Sequence, residues 1–333
     1  MAFSTTQENP TRRSIPAAAT LFFVAPFVAE YLLGDLSLKL LPALIVMAPM
    51  YGGGALLIRE LVRHRGRGWP TILCLGAAYA LLEEGLVTQS LFNPDYLKLH
   101  LHFLEPAHIT WLGTGAWWTL LMLNLHTFWS IGVSIALVEG LFPKRAHEPW
   151  LGKVGHTVVD LLFLLGLVVN TLIGFKQNQF WASREQLGFA GVMCLLLIVL
   201  AFATPTGMAR RQGQAPSPWV TGIATLALAM LFQFIPMRWG WRAVAAMLAV
   251  DVVFLLMVFV FSRCTGWTQL HTLSLGAGGA VAYGLHAFRQ TAFGGGVVLS
   301  RVGNVIFLAI AVGLIVMGAK RTGVLAGDRA QLS

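Results

Sequence analysis

Two adjacent acids, Glu83 and Glu84, stand inside an otherwise apolar run, Ala78-Tyr79-Ala80-Leu81-Leu82-Glu83-Glu84-Gly85-Leu86. Burying an ionisable group in lipid is costly, so such a residue lines a polar cavity or meets a partner. Consecutive helical residues point about 100° apart, so the two carboxylates cannot address one small spot equally. One can do chemistry while the other orients it or ties down a neighbouring helix. An adjacent pair of this kind can keep an acid and a base together.

The next apolar run carries His126, within Asn124-Leu125-His126-Thr127-Phe128-Trp129-Ser130. At the usual helical rise Glu83 lies about 15 Å inside Asn93, and His126 lies about 13–14 Å inside Trp117. Two antiparallel spans would therefore bring carboxylates and imidazole to the same depth, with Ser130 one turn on and Asn124 nearby. A carboxylate that takes a proton from water, beside an imidazole or amide that steadies an oxyanion, is a water-activating set. Asp251, ten residues after Trp241, reaches a similar depth and completes a candidate catalytic group of Glu83, Glu84, His126 and Asp251. His286 is a further possible ligand or base. The alternative is structural, with a Glu–His pair tying two helices together and Asp251 and His286 as satisfied polar residues of a bundle.

Other polar residues point elsewhere. Glu60 and Glu139 sit near Arg59, Arg63 and Lys144 towards span ends, where ion pairing is the expected role, and Glu30 and Asp160 are close enough to span ends to reach the interface. The stretch Lys98 to His108 holds His100, His102, Glu105 and His108. Imidazoles two apart on an extended segment can bind zinc, but no Cys or HExxH pattern supports a metal, and an interfacial loop with His facing water fits better. No cofactor-binding motif is present, and the water-activating set is compatible with metal-independent or metal-assisted chemistry. Cys74, Cys194 and Cys264 form no CxxC pattern, so neither a disulfide framework nor a zinc knuckle is indicated.

These residues need helices in lipid to position them. Of the 333 residues, 56% are hydrophobic and 11% charged, with a mean hydropathy of +0.71, against roughly 25% charged in a soluble domain. A span takes about 20 mostly apolar residues. Ten stretches qualify or nearly so: 17–33, 38–58, 70–92, 114–142, 157–175, 187–205, 218–236, 241–263, 270–287 and 298–318. The ninth is short and Gly-rich. The expected fold is all-α, a polytopic helical bundle of about ten spans, with tails at 1–16 and 319–333 flanking a membrane domain at 17–318.

The net charge of +9 comes from Lys and Arg in the short gaps, which argues for retention on the cytoplasmic side and against a nucleic-acid partner. With the N-terminus inside, inner segments carry Arg12 and Arg13; Arg59, Arg63, Arg65 and Arg67; Lys144, Arg145 and Lys153; Arg210 and Arg211; Arg263; and Lys320 with Arg321. Outer segments are mixed or sparser through the first six spans, while Arg238, Arg242 and Arg289 fall outside in the later ones. Both termini are expected in the cytoplasm of a bacterial cell, with membrane lipids as the surrounding partners. Thr11-Arg12-Arg13-Ser14 has the outline of a twin-arginine export signal, yet suits equally a basic tail before an uncleaved first span, which the many later spans favour. Gly52-Gly53-Gly54 and the Gly276–Ala280 run permit close helix packing.

Glu83-Glu84 followed by a His in a later span resembles the CAAX-protease and bacteriocin-processing family of intramembrane glutamate proteases. That resemblance implies a helical bundle whose paired glutamates and histidines activate water for peptide cleavage. It transfers to Glu83, Glu84 and His126. Thr88 stands where the first motif has Arg, and Met122 stands where the second has Phe. The nearest candidate for the third motif is His286 with Gln290.

Three functions fit this constellation. An intramembrane hydrolase would act on a lipid or membrane-peptide substrate, with Glu83 or Glu84 as base. A proton-coupled transporter or lipid carrier would load and unload protons on the same groups. A nonenzymatic scaffold would use them to hold helices together.

Overall fold

The computed structural model describes residues 14–205 and 211–330, with side chains described through 323. Thr11, Arg12, Arg13 and Arg210, on which part of the charge argument rests, lie outside the described residues. Ten helices follow in order: α1 Ile15–Leu32, α2 Ala43–His64, α3 Trp69–Val87, α4 Ala116–Leu141, α5 Lys153–Asn178, α6 Arg184–Ala203, α7 Pro218–Phe234, α8 Trp241–Phe261, α9 Gln269–His286 and α10 Gly296–Ala330. The expected all-α polytopic bundle is therefore observed. Eight of these helices are long and apolar enough to cross a membrane, while α7 is a shorter apolar helix. α9, the Gly-rich ninth stretch, forms an 18-residue helix. Among the described residues the only strands are the two-residue pair His108–Ile109 and Thr114–Gly115.

Two layers organise the bundle. α4 is the hub, packed on by α1, α3, α9 and α10, and 78% of its most apolar stretch is buried, against 11% for α5 and for α6. The outer helices present Leu, Val and Ile to lipid, as at Leu161, Leu195 and Val199. α9 is held inside by its small residues: a side chain at Gly276 would stand 2.8 Å from Ala136 of α4, and one at Gly279 2.7 Å from Val133. Trp129 of α4 donates its indole N–H to Gly279 O at 2.9 Å and stacks on Tyr283 at 4.6 Å. Low hydropathy in α9 thus reflects a helix that faces protein rather than lipid.

Contacts between chain-distant segments identify the two ends. Ser14 N bonds Trp150 O at 2.9 Å, Arg321 bonds Leu141 O at 2.8 Å, and Arg67 bonds the carbonyls of Phe202 and Thr204, capping α6. One end thus gathers Arg67, Lys144, Arg145, Lys153 and Arg321; it is the basic end. At the opposite end Gln290 bonds Asp35 and Leu97 N bonds Asn178.

Three boundaries differ from the sequence expectation. α2 starts later, after Pro42, and runs on through His64. Arg59 and Arg63 were expected in a basic gap but lie buried in its last turns, because Glu60 and Glu139 neutralise them there. α3 ends at Val87 rather than 92. α10 continues as helix to Ala330, past the expected tail boundary at 319.

Candidate functional site

Among the described residues π-helix occurs in three places, and each carries an acid or the histidine. Phe27–Leu32 at the end of α1, Leu82–Val87 at the end of α3 and Leu125–Val133 within α4 wind as π-helix. They contain Glu30, the Glu83-Glu84 pair, and His126 with Ser130. A π-turn widens the helix and frees backbone groups, and such turns concentrate at functional sites. Hydroxyls lie beside the carbonyls of these turns: Thr88 Oγ1 is 3.1 Å from Glu83 O, its one hydrogen shared between that oxygen and Glu84 Oε2, and Ser130 Oγ is 3.4 Å from Leu125 O.

The imidazole of His126 sits between the two acids. Its Nε2 is 2.7 Å from Glu84 Oε1, and its Nδ1 is 3.1 Å from Glu83 Oε2 and 3.3 Å from Ser130 Oγ. Glu83, Glu84 and His126 are all buried. Their ligand atoms lie within 4.8 Å of one another, a spacing that a cation could bridge.

Hydrogen bonding separates the adjacent glutamates. Glu84 also accepts from Thr88 Oγ1 at 3.0 Å and from Ser90 Oγ. Thr88, which stands where the protease motif has Arg, thus supplies a neutral donor to the same carboxylate. Glu83 Oε2 has no hydrogen-bonding partner among the described residues, since its approach to His126 lacks that geometry, and the Tyr79 hydroxyl has none either. Buried polar atoms are nearly always partnered, so the Glu83 side of the cluster is less satisfied than the Glu84 side.

A supporting shell fixes the arrangement. Gln89 adopts a left-handed backbone, φ 56°, which turns the chain back so that Ser90 meets Glu84. Trp118 donates to Ser90 O at 3.1 Å, Thr114 to Leu91 O at 2.5 Å, and Ala182 N to Gln89 Oε1 at 2.7 Å. Tyr51 of α2 stacks on the His126 ring at 6.0 Å and donates to Glu30 Oε1 at 2.6 Å. Glu30 was expected to reach the interface; Tyr51 instead draws it into this network. Tyr96, in the loop beyond α3, is part-buried near this network. Burial, with the charges of Glu84, Glu30 and Glu83, pushes its phenol well above the ordinary value.

The other sequence candidates lie elsewhere. Asp251 bonds Asn124 Nδ2 at 3.1 Å on a face of α4 turned away from His126, and both line a separate apolar cavity. His286 has an unpartnered Nδ1, and none of its described contacts reaches Glu83, Glu84 or His126. Gln290 bonds Leu33 O and Asp35 instead. The three loop histidines do not converge: His100 pairs with Asp95, His102 with Glu105, and His108 with Leu104 O. Glu60, His64 and His156 are also close enough for a cation, but Glu60 is already committed to Arg59 and to the Trp150 and Leu151 amides. Sequence reading missed Tyr51, Tyr79, Thr88 and Ser90 as members of the site; only the polar residues spaced one turn around Glu83-Glu84 hinted at the last three.

A family model spans nearly all of this architecture, matching residues 19–326 from α1 into α10. The chain belongs to an uncharacterized membrane protein family. Every residue of the cluster falls within the match, and the chain is a polytopic membrane protein. The match is not to the intramembrane glutamate proteases, so that likeness rests on Glu83, Glu84 and His126 alone. No curated protein and no solved structure matches the chain.

Proposed function

We propose that this membrane protein is an intramembrane hydrolase acting on the carbonyl of a lipid or membrane peptide. One observation carries the reading: Glu84 is bonded by His126, Thr88 and Ser90, while among the described residues Glu83 Oε2 has only its ion pair with His126 and the buried Tyr79 hydroxyl has no hydrogen-bond partner. Glu83 is then the general base. It takes a proton from water, the resulting hydroxide adds to the carbonyl, and the Tyr79 O–H donates to the oxyanion. Glu83 returns the proton to the leaving group as the tetrahedral adduct collapses. Glu84 holds His126 in place, and His126 balances the charge of Glu83. Asp251 has no part in these steps.

The test is hydrolysis itself. Membranes carrying wild type, Glu83→Gln or Glu84→Gln are incubated in ¹⁸O-labelled water, and lipid and peptide products are surveyed by mass spectrometry. A product carrying ¹⁸O in wild type and lost in Glu83→Gln, with protein still folded, supports the reading. Equal labelling in all three membranes overturns it.

A second reading is a proton-coupled carrier, favoured by the gathering of a third carboxylate, Glu30, through Tyr51. Three acids around one imidazole can pass protons between them. Substrate-dependent proton flux in proteoliposomes, abolished by Glu30→Gln, is its signature.

A further inference from the structure

A cavity of about 910 Å³ lies on the far side of α4 from the glutamate–histidine cluster. Its walls come from α3, α4, α7, α8 and α9, with Leu197 of α6, and are almost wholly apolar, as at Leu73, Phe128, Leu228 and Phe254. Trp69 and Trp267 stand at its basic end, where amphipathic rings suit the interface. Its outer wall is α8, whose Val252, Leu255 and Leu256 are also exposed to lipid. The cavity thus runs from one interface towards mid-membrane beside a lipid-facing helix.

Among the described residues Asp251 is the only acidic or basic one lining it, and at 1.5 Å per residue it lies about 16 Å from Ser262 along α8. Asn124 spends both amide hydrogens, on Leu120 O at 2.9 Å and Asp251 Oδ2 at 3.1 Å. The pair therefore offers its remaining oxygens as acceptors. An acceptor site bearing one carboxylate, with no Lys, Arg or His among the described lining residues, rejects carboxylates and phosphates and selects a cationic donor.

We propose that this cavity binds an amphiphile whose amine head sits at Asp251 and Asn124 and whose single apolar chain fills the length of the cavity. The inference does not depend on hydrolysis at Glu83, because the two sites occupy different faces of α4. The amine neutralises Asp251, and the chain replaces lipid against the apolar walls.

The test uses full-length protein in phosphatidylcholine nanodiscs, whose lipid carries no primary amine. Dodecylamine, dodecanol and dodecanoate are titrated while the unfolding midpoint is followed, with empty nanodiscs correcting for partition. Dodecylamine should stabilise wild type saturably, dodecanol more weakly, and dodecanoate not at all. Asp251→Asn should weaken the dodecylamine response at least about tenfold and leave dodecanol unchanged. Ala229→Trp, which fills the cavity and keeps the acid, should remove both responses and decides the matter if Asp251→Asn does not fold. Equal stabilisation by all three probes, an unchanged Asp251→Asn response, or dodecylamine binding that survives Ala229→Trp overturns the proposal.

Discussion

Two buried charged clusters lie in this bundle, and they are built on opposite principles. At the basic end, Arg59 and Arg63 meet Glu60 and Glu139 in charge balance. Arg63 grips Glu139 with two bonds at 3.0 and 2.8 Å, and Arg59 bonds both acids and three backbone carbonyls. The Trp150 ring lies 3.3 Å from the Arg59 guanidinium. At mid-depth, by contrast, one imidazole faces Glu83 and Glu84, and two polar atoms go unpartnered. The first cluster is a clamp that fastens α2, α4 and the segment before α5. The second is under-satisfied, and its acids outnumber its bases, so it has capacity left for water, a proton or a substrate. Both clusters bury charge; the number of hydrogen bonds each acid collects is what separates them.

That contrast can be broken by substitution. Glu139→Ala strands the buried Arg63 guanidinium and takes one of its two acids from Arg59, and should destabilise the protein by about 3–5 kcal/mol, read as a lowered unfolding midpoint. A smaller loss would mean that the clamp is better hydrated than its burial implies. Tyr79→Phe removes an unpartnered hydroxyl, so stability should hold within about 0.5 kcal/mol. Product formation should nevertheless fall about 10²–10³-fold; unchanged labelling would remove Tyr79 from the chemistry. Ser90→Ala takes one donor from Glu84 and should cost about 1.5–3 kcal/mol by the same unfolding measurement. Gly54→Ala pushes a methyl into the Tyr79 ring and should cost about 1–3 kcal/mol. It should also depress turnover more than Gly53→Ala, whose nearest neighbour is Phe163 on lipid-facing α5.

Much of the site was legible from spacing. Glu83 and His126 lie at equal depth on antiparallel spans, and the structure brings them within ion-pair distance. Glu60 and Glu139 paired with Arg59 and Arg63 as their positions suggested. Depth is a single coordinate, however. Asp251 shares it with His126 yet faces another cavity, because Asn124 and His126 are two residues apart and project to opposite sides of α4. Tyr51 escaped notice and Glu30 was assigned to the interface, because a tyrosine in an apolar run and an acid near a span end look ordinary until α1 and α2 pack beside α4.

The sequence by itself determined the environment and the count of helices. Apolar content over some 20 residues is a local sum, and lipid enforces it on each segment separately. It also placed acids and imidazole at one level, since rise per residue is fixed by the backbone. Only the tertiary structure decided which glutamate collects three hydrogen-bond partners and which has the ion pair with His126 alone. That depends on π-turns that rotate Glu83, Glu84 and His126, on the left-handed Gln89 that returns Ser90, and on partners drawn from four helices. Hydrogen bonds require direction as well as proximity, and direction is set only when the helices have packed.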